Sequence, residues 1–141
     1  MQIEAIASKG QLIPLLFCQH TVAASQTDVQ LNVVEAGNNT LAVQGISAPF
    51  SGSIIGISAD LSAAASAGTL SVGVTLNGTE SAVTTQGFTT QTAKYGVFQR
   101  DSVAVVAGDK IGVEITTNAG WNGTSSDLAV IVYFLAEMAG I

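Results

Sequence analysis

The segment Leu70-Ser71-Val72-Gly73-Val74-Thr75-Leu76 alternates apolar with small or polar residues without a break, then runs straight into Asn77-Gly78. Strand side chains point to opposite faces in turn, and Asn-Gly supplies the two positive-φ residues of a type I′ turn. The stretch, with residues 79–85 after it, therefore predicts a β-hairpin with one buried face. In that register Leu76 opposes Thr79, Val74 opposes Ser81 and Val72 opposes Val83, while Ser71, Gly73, Thr75 and Glu80 lie on the second face. A helix has a period of about 3.6 and cannot bury this pattern.

The same period recurs elsewhere. In residues 53–61, Ile55, Ile57, Ala59 and Leu61 share one face, and Gly56, Ser58 and Asp60 the other. In residues 110–117, Ile111, Val113 and Ile115 alternate with Gly112, Glu114 and Thr116. Weaker strand signals lie at 12–18, 29–35, 41–46 and 93–100, with turn clusters at 37–39, 67–68, 108–109 and 118–126. Val, Ile and Thr make up 40 of the 141 residues, a composition suited to pleated sheet. The Ala/Ser run at 61–67 is too short for an independent helix. Eight or nine short strands and no dividing linker predict one all-β domain, an antiparallel sandwich.

Charge restricts the partners. A monomer of 14.3 kDa exposes roughly 6,800 Å² by surface scaling, so its fourteen charged residues leave about one charge per 490 Å². A surface this sparsely charged is expected to be covered in part by copies of the chain or by another protein. The net charge of −6, with only Lys9, Lys94, Arg100 and Lys110 as scattered cations, argues against nucleic acid as a partner.

No stretch reaches the ~20 apolar residues of a membrane helix. The apolar run 12–18 makes a poor secretion signal, because Glu4 precedes it, Pro14 interrupts it and it is short; Phe17 fills the place a lipoprotein box gives to a small residue. The chain is expected to be made in the cytosol, and its single cysteine agrees with that.

Residues 128–135 are apolar on both faces. In an antiparallel protein that means a covered second face, supplied either by another subunit or by a loop over a central strand. The first alternative places Val130, Val132, Tyr133 and Phe134 at a subunit interface.

Chemistry-bearing residues are few. Cys18 and His20 would share a strand face, but an isolated cysteine is more often a buried hydrophobe than a nucleophile, and one His with one Cys cannot make a zinc site. The ten carboxylates form no calcium-loop pattern, and no dinucleotide fingerprint, phosphate loop or nucleophile elbow is present. No enzyme activity and no cofactor are expected. Three Asn-X-Thr sequons, at Asn38, Asn77 and Asn122, coincide with turns that want Asn for its backbone. Trp121, in the loop 118–124, is either an exposed anchor for a ligand or capsid, or a lid folded back over the open end of the core.

The order of signals from Pro49-Phe50-Ser51-Gly52, through 54–59, the hairpin and Val105-Val106-Ala107-Gly108-Asp109-Lys110-Ile111-Gly112-Val113, to the closing apolar strand resembles the head decoration, or cement, proteins of tailed phages. The Ala-Gly-Asp-Lys-Ile-Gly-Val stretch and the last strand are also similar to trimeric jelly rolls of the tumour-necrosis-factor type. The resemblance spans residues 49–137 and brings no catalytic residues. It implies an antiparallel jelly-roll sandwich of about eight strands that forms a homotrimer, binds the major capsid protein on the outer surface of a virion and stabilises the head. As an alternative it allows a receptor- or glycan-binding module at a tail-fibre tip. Residues 31–141 would form the jelly roll. Residues 1–30 would form an N-terminal arm or first strand, with Ile3 and Ile6 offered to the capsid.

Overall fold

The computed structural model describes residues 10–36, 39–41 and 43–137, with the backbone alone for 34–36 and 39–41. The strands are β1 (Gln11–Gln19), β2 (Val29–Gln30), β3 (Val34–Ala36), β4 (Asn39–Leu41), β5 (Ile46–Ser47), β6 (Gly52–Leu61), β7 (Leu70–Leu76), β8 (Thr79–Glu80), β9 (Gln86–Phe88), β10 (Ala93–Val97), β11 (Ala104–Val105), β12 (Lys110–Thr117) and β13 (Leu128–Ala136). Every ladder is antiparallel.

Two sheets make the sandwich. The first runs β1-β13-β6-β10, with β11 on the start of β6; the second runs β2-β12-β7, with β8 and β9 both on β7 and β5 on β12. β3 and β4 form a separate ladder. Of the eight principal strands, β1, β6, β10 and β13 lie in the first sheet and β2, β7, β9 and β12 in the second. The chain therefore crosses between sheets at almost every connection, which is the jelly-roll pattern of two interleaved Greek keys.

Period-two alternation fills the space between the sheets. β12 turns Ile111, Val113 and Ile115 inward, β7 turns Leu70, Val72 and Val74, and β13 turns Leu128, Val130, Val132 and Phe134; all are buried. Phe17 and Phe88 complete the core from β1 and β9. Each such side chain contributes about 1.5–3 kcal/mol by leaving water, enough to offset the ordering of short strands. Pro14 is tolerated because β1 is an edge strand, where a missing N–H need not break a ladder on both sides.

Three expectations change. The hairpin turn is as the sequence predicts, with Leu76 opposite Thr79 and positive φ at Asn77 (54°) and Gly78 (85°). Beyond Ser81, however, a 3₁₀ turn at Ala82–Thr84 intervenes, and Val72 pairs with Gln86 rather than Val83. Thr84 is the cause. Its buried hydroxyl accepts the Val74 N–H at 2.9 Å and donates to the Ser81 carbonyl at 2.7 Å, replacing ladder bonds and leaving Val83 exposed.

The second change is a bulge in β6. Tyr133 pairs with Gly56 but Phe134 with Ile54, so Ile55 is the extra residue. Ile54 then enters the core with Ile57, Ala59 and Leu61, whereas Ile55 lines the outer face. The third concerns Val130, Val132 and Phe134. Their side chains are used inside the protomer's own core, so they are not available to a subunit interface. The opposite side of β13 carries Ala129, Ile131, Tyr133 and Leu135.

Candidate functional site

Antiparallel register lays the outward residues of the first sheet in rows across four strands. One row is Leu16, Ile131, Ser58 and Tyr95; the next is Pro14, Tyr133, Gly56 and Val97. Leu12 stands opposite Leu135 beside them, and the bulge adds Ile55. A sheet face open to water normally alternates with polar residues; this one is apolar, with Tyr95 and Val97 78% and 84% exposed.

The face has relief. Gly56 has no side chain between Tyr133 and Val97, and the gap forms a furrow of about 330 Å³ walled by Leu12 and Tyr133 on one side and Tyr95 and Val97 on the other. Among the described residues, none lining it is charged. Its polar groups include the Ser58 and Tyr133 hydroxyls, 3.5 Å apart. The furrow suits an apolar side chain delivered by another surface.

Toward the far end of the same face the character changes. Cys18, Ala129, Asp60 and Ala93 form the row there, and the first three line an open cleft of about 480 Å³ together with His20 and Asp127. His20 Nδ1 lies 2.7 Å from Asp127 Oδ1, which also accepts the Thr21 N–H at 2.9 Å. That backbone donor, with the imidazole beside it, holds the Asp127 carboxyl below the usual carboxylate range. Both side chains of the pair are largely exposed, so solvent screens their attraction. Cys18 is half-buried and unbridged. Among the described residues no group of three His, Cys, Asp or Glu side chains could hold a metal ion.

The residues singled out from the sequence fall in different places. Tyr133 stands on the outer face, at the furrow. Ile3 and Ile6 lie outside the described residues. Trp121 is 2% exposed, and its indole N–H donates to the Val22 carbonyl at 3.1 Å, so it caps the end of the core and is not an exposed anchor for capsid or ligand. Sequence reasoning missed Leu12, Leu16, Ile55, Tyr95 and Val97 as a surface. The alternation Ala93, Tyr95, Val97 was a usable signal, but only the register reveals that these residues meet Tyr133. Asp127 as the partner of His20, 107 positions away, carried no local signal.

In comparison with known proteins, the chain matches no family model and no curated sequence.

Proposed function

We propose that the chain is a structural virion protein that binds the outer surface of a phage head as a homotrimer and reinforces the shell by bridging major capsid protein subunits. The observation that carries the self-association is the outer face of the first sheet. Its uncharged rows of Leu12, Leu16, Ile131, Tyr133, Tyr95 and Val97 surround a furrow, on a chain with few charges to keep such a face in water. A second copy is the occupant, and closed rotational symmetry limits the assembly. The capsid role rests on the resemblance of residues 49–137 to head decoration proteins, together with an eight-strand sandwich of the type that resemblance implies. The fibre-tip alternative would use loops such as 118–126 to grip a glycan, and Trp121 of that loop is buried.

Such a protein works by linkage. A ligand that binds only the assembled shell stabilises it by about 2.7 kcal/mol per site at a hundredfold excess over Kd. Many sites add to a large total without any chemistry. Attachment is assigned to the N-terminal segment. Gln11 pairs with Ala136, so residue 10 and residue 137 leave the same end of the sandwich, and one pole of a trimer would present every N-terminal segment together.

The test is the number of copies per purified virion. The reading requires several hundred, released or added back without loss of the head itself; a handful of copies confined to the tail contradicts it. Deleting residues 2–9 should leave a folded trimer that decorates naked heads much more weakly, and unchanged saturation would remove the attachment role from this segment.

A further inference from the structure

The outer face of the second sheet contains a buried acid. Glu114 points away from the core because its neighbours Val113 and Ile115 point into it, yet Glu114 is only 7% exposed. Register puts Gln30 on one side of it and Gly73 on the other. Gln30 closes its side: Nε2 donates to Glu114 Oε2 at 3.0 Å, while Oε1 accepts from the Thr75 hydroxyl at 3.2 Å. On the opposite side Gly73 leaves a gap, and Glu80 of β8 fills it. A Cβ at residue 73 would collide with the Glu80 carboxyl, which therefore lies over the backbone of β7, at the position paired with Glu114.

Ionised carboxylates are acceptors only. A hydrogen bond between two of them needs one proton, and like charges in contact disfavour double ionisation. Among the described residues, no cation acts on Glu114. The charges acting on Glu114 are Asp28 and Glu80, both acids. Asp28 accepts from the Thr116 hydroxyl at 3.2 Å, and Glu80 Oε1 accepts from the Thr85 hydroxyl at 2.7 Å. Burial first, and these two acids next, push the Glu114 carboxyl above its ordinary value.

We propose that Glu114 keeps its proton and donates it to the Glu80 carboxylate, and that this hydrogen bond clamps the segment from β8 through Thr85 onto the second sheet, releasing it as pH rises. The segment has little else to hold it to the sheet: two ladder pairs, the Ser81 N–H donating to the Val74 carbonyl at 2.8 Å and the Val74 N–H donating to the Thr84 hydroxyl, with Val83 exposed. The folded state binds the proton more tightly than the unfolded chain. The clamp is therefore fully made below the ordinary glutamate pKa and is lost as pH climbs through the raised pKa of Glu114.

Amide hydrogen exchange of residues 79–86, corrected for the intrinsic rate and run in chelator-treated buffer at about pH 5 and pH 8, tests this. Wild-type protection should fall about tenfold for each unit by which the folded pKa exceeds the unfolded one, while the β12 amides stay protected. In Glu114→Gln and Glu80→Gln the carboxamide N–H₂ replaces the Glu114 proton as donor. Either variant should hold its protection flat between the two pH values. Gly73→Ala evicts the Glu80 carboxyl and should give a segment weakly protected at both. Wild-type protection independent of pH, or an unchanged pH slope in both glutamine variants, overturns the proposal.

Discussion

Replacing Phe134 by alanine separates the two faces of the last strand. The ring is fully enclosed between the sheets, so its loss removes the transfer energy of a whole aromatic side chain and leaves a cavity that tightly packed neighbours cannot fill. Buried Phe→Ala changes cost about 3–5 kcal/mol, against a total of about 5–15 kcal/mol for a single domain. A domain of this size loses roughly 3–4 °C of midpoint per kcal/mol, so the midpoint should fall by about 9–20 °C. Circular dichroism melts at two protein concentrations tenfold apart make the assay. Association would make the midpoint depend on concentration, whereas a protomer defect lowers both curves together. Val97→Ser is the control: its side chain is almost fully exposed in the protomer, so its only large effect should be on association. A folded Phe134→Ala protein whose midpoint moves by less than about 3 °C while its native mass drops would refute the placement of Phe134 in the core and return it to a subunit interface.

Val97→Asp places an unpaired charge in the self-association face and should yield a folded single chain by light scattering, with an unchanged circular dichroism spectrum. Thr84→Val leaves the buried Val74 N–H without its acceptor and should cost about 1–3 kcal/mol in urea unfolding. Asp109 accepts the Val106 N–H at 2.8 Å and the Asn77 side-chain N–H at 2.9 Å, which hold its carboxyl below the ordinary range. Its contribution is present above the unfolded pKa and lost as pH falls through the depressed one, so Asp109→Asn should flatten the acid limb of a midpoint-against-pH curve.

The sandwich was legible because alternation and turn chemistry are local. Ile111, Val113 and Ile115 of β12, and the Asn77-Gly78 turn, follow from neighbouring residues alone. What failed was set by distant contacts. The bulge at Ile55 exists because β13 pairs across it, and nothing within residues 53–61 distinguishes Ile54 from Ile55 as the inward side chain. The 3₁₀ turn after Ser81 depends on one hydroxyl satisfying a backbone N–H ten residues away. The doubly apolar last strand correctly signalled a second apolar face. Parity was the missing piece: either set of alternate residues could have been the inner one, and it is Leu128, Val130, Val132 and Phe134 that are buried in the core. The candidate surface spreads over four strands far apart in sequence, so its rows cannot be assembled without register.

Native mass spectrometry of the purified chain at micromolar concentration, in the wild type and in Val97→Asp, tests the central claim most directly. The account predicts a species of about 43 kDa, three times 14.3 kDa, for the wild type, and a 14.3 kDa species for the variant. A wild-type protein found only at 14.3 kDa would contradict it, and so would a Val97→Asp trimer as abundant as the wild-type one.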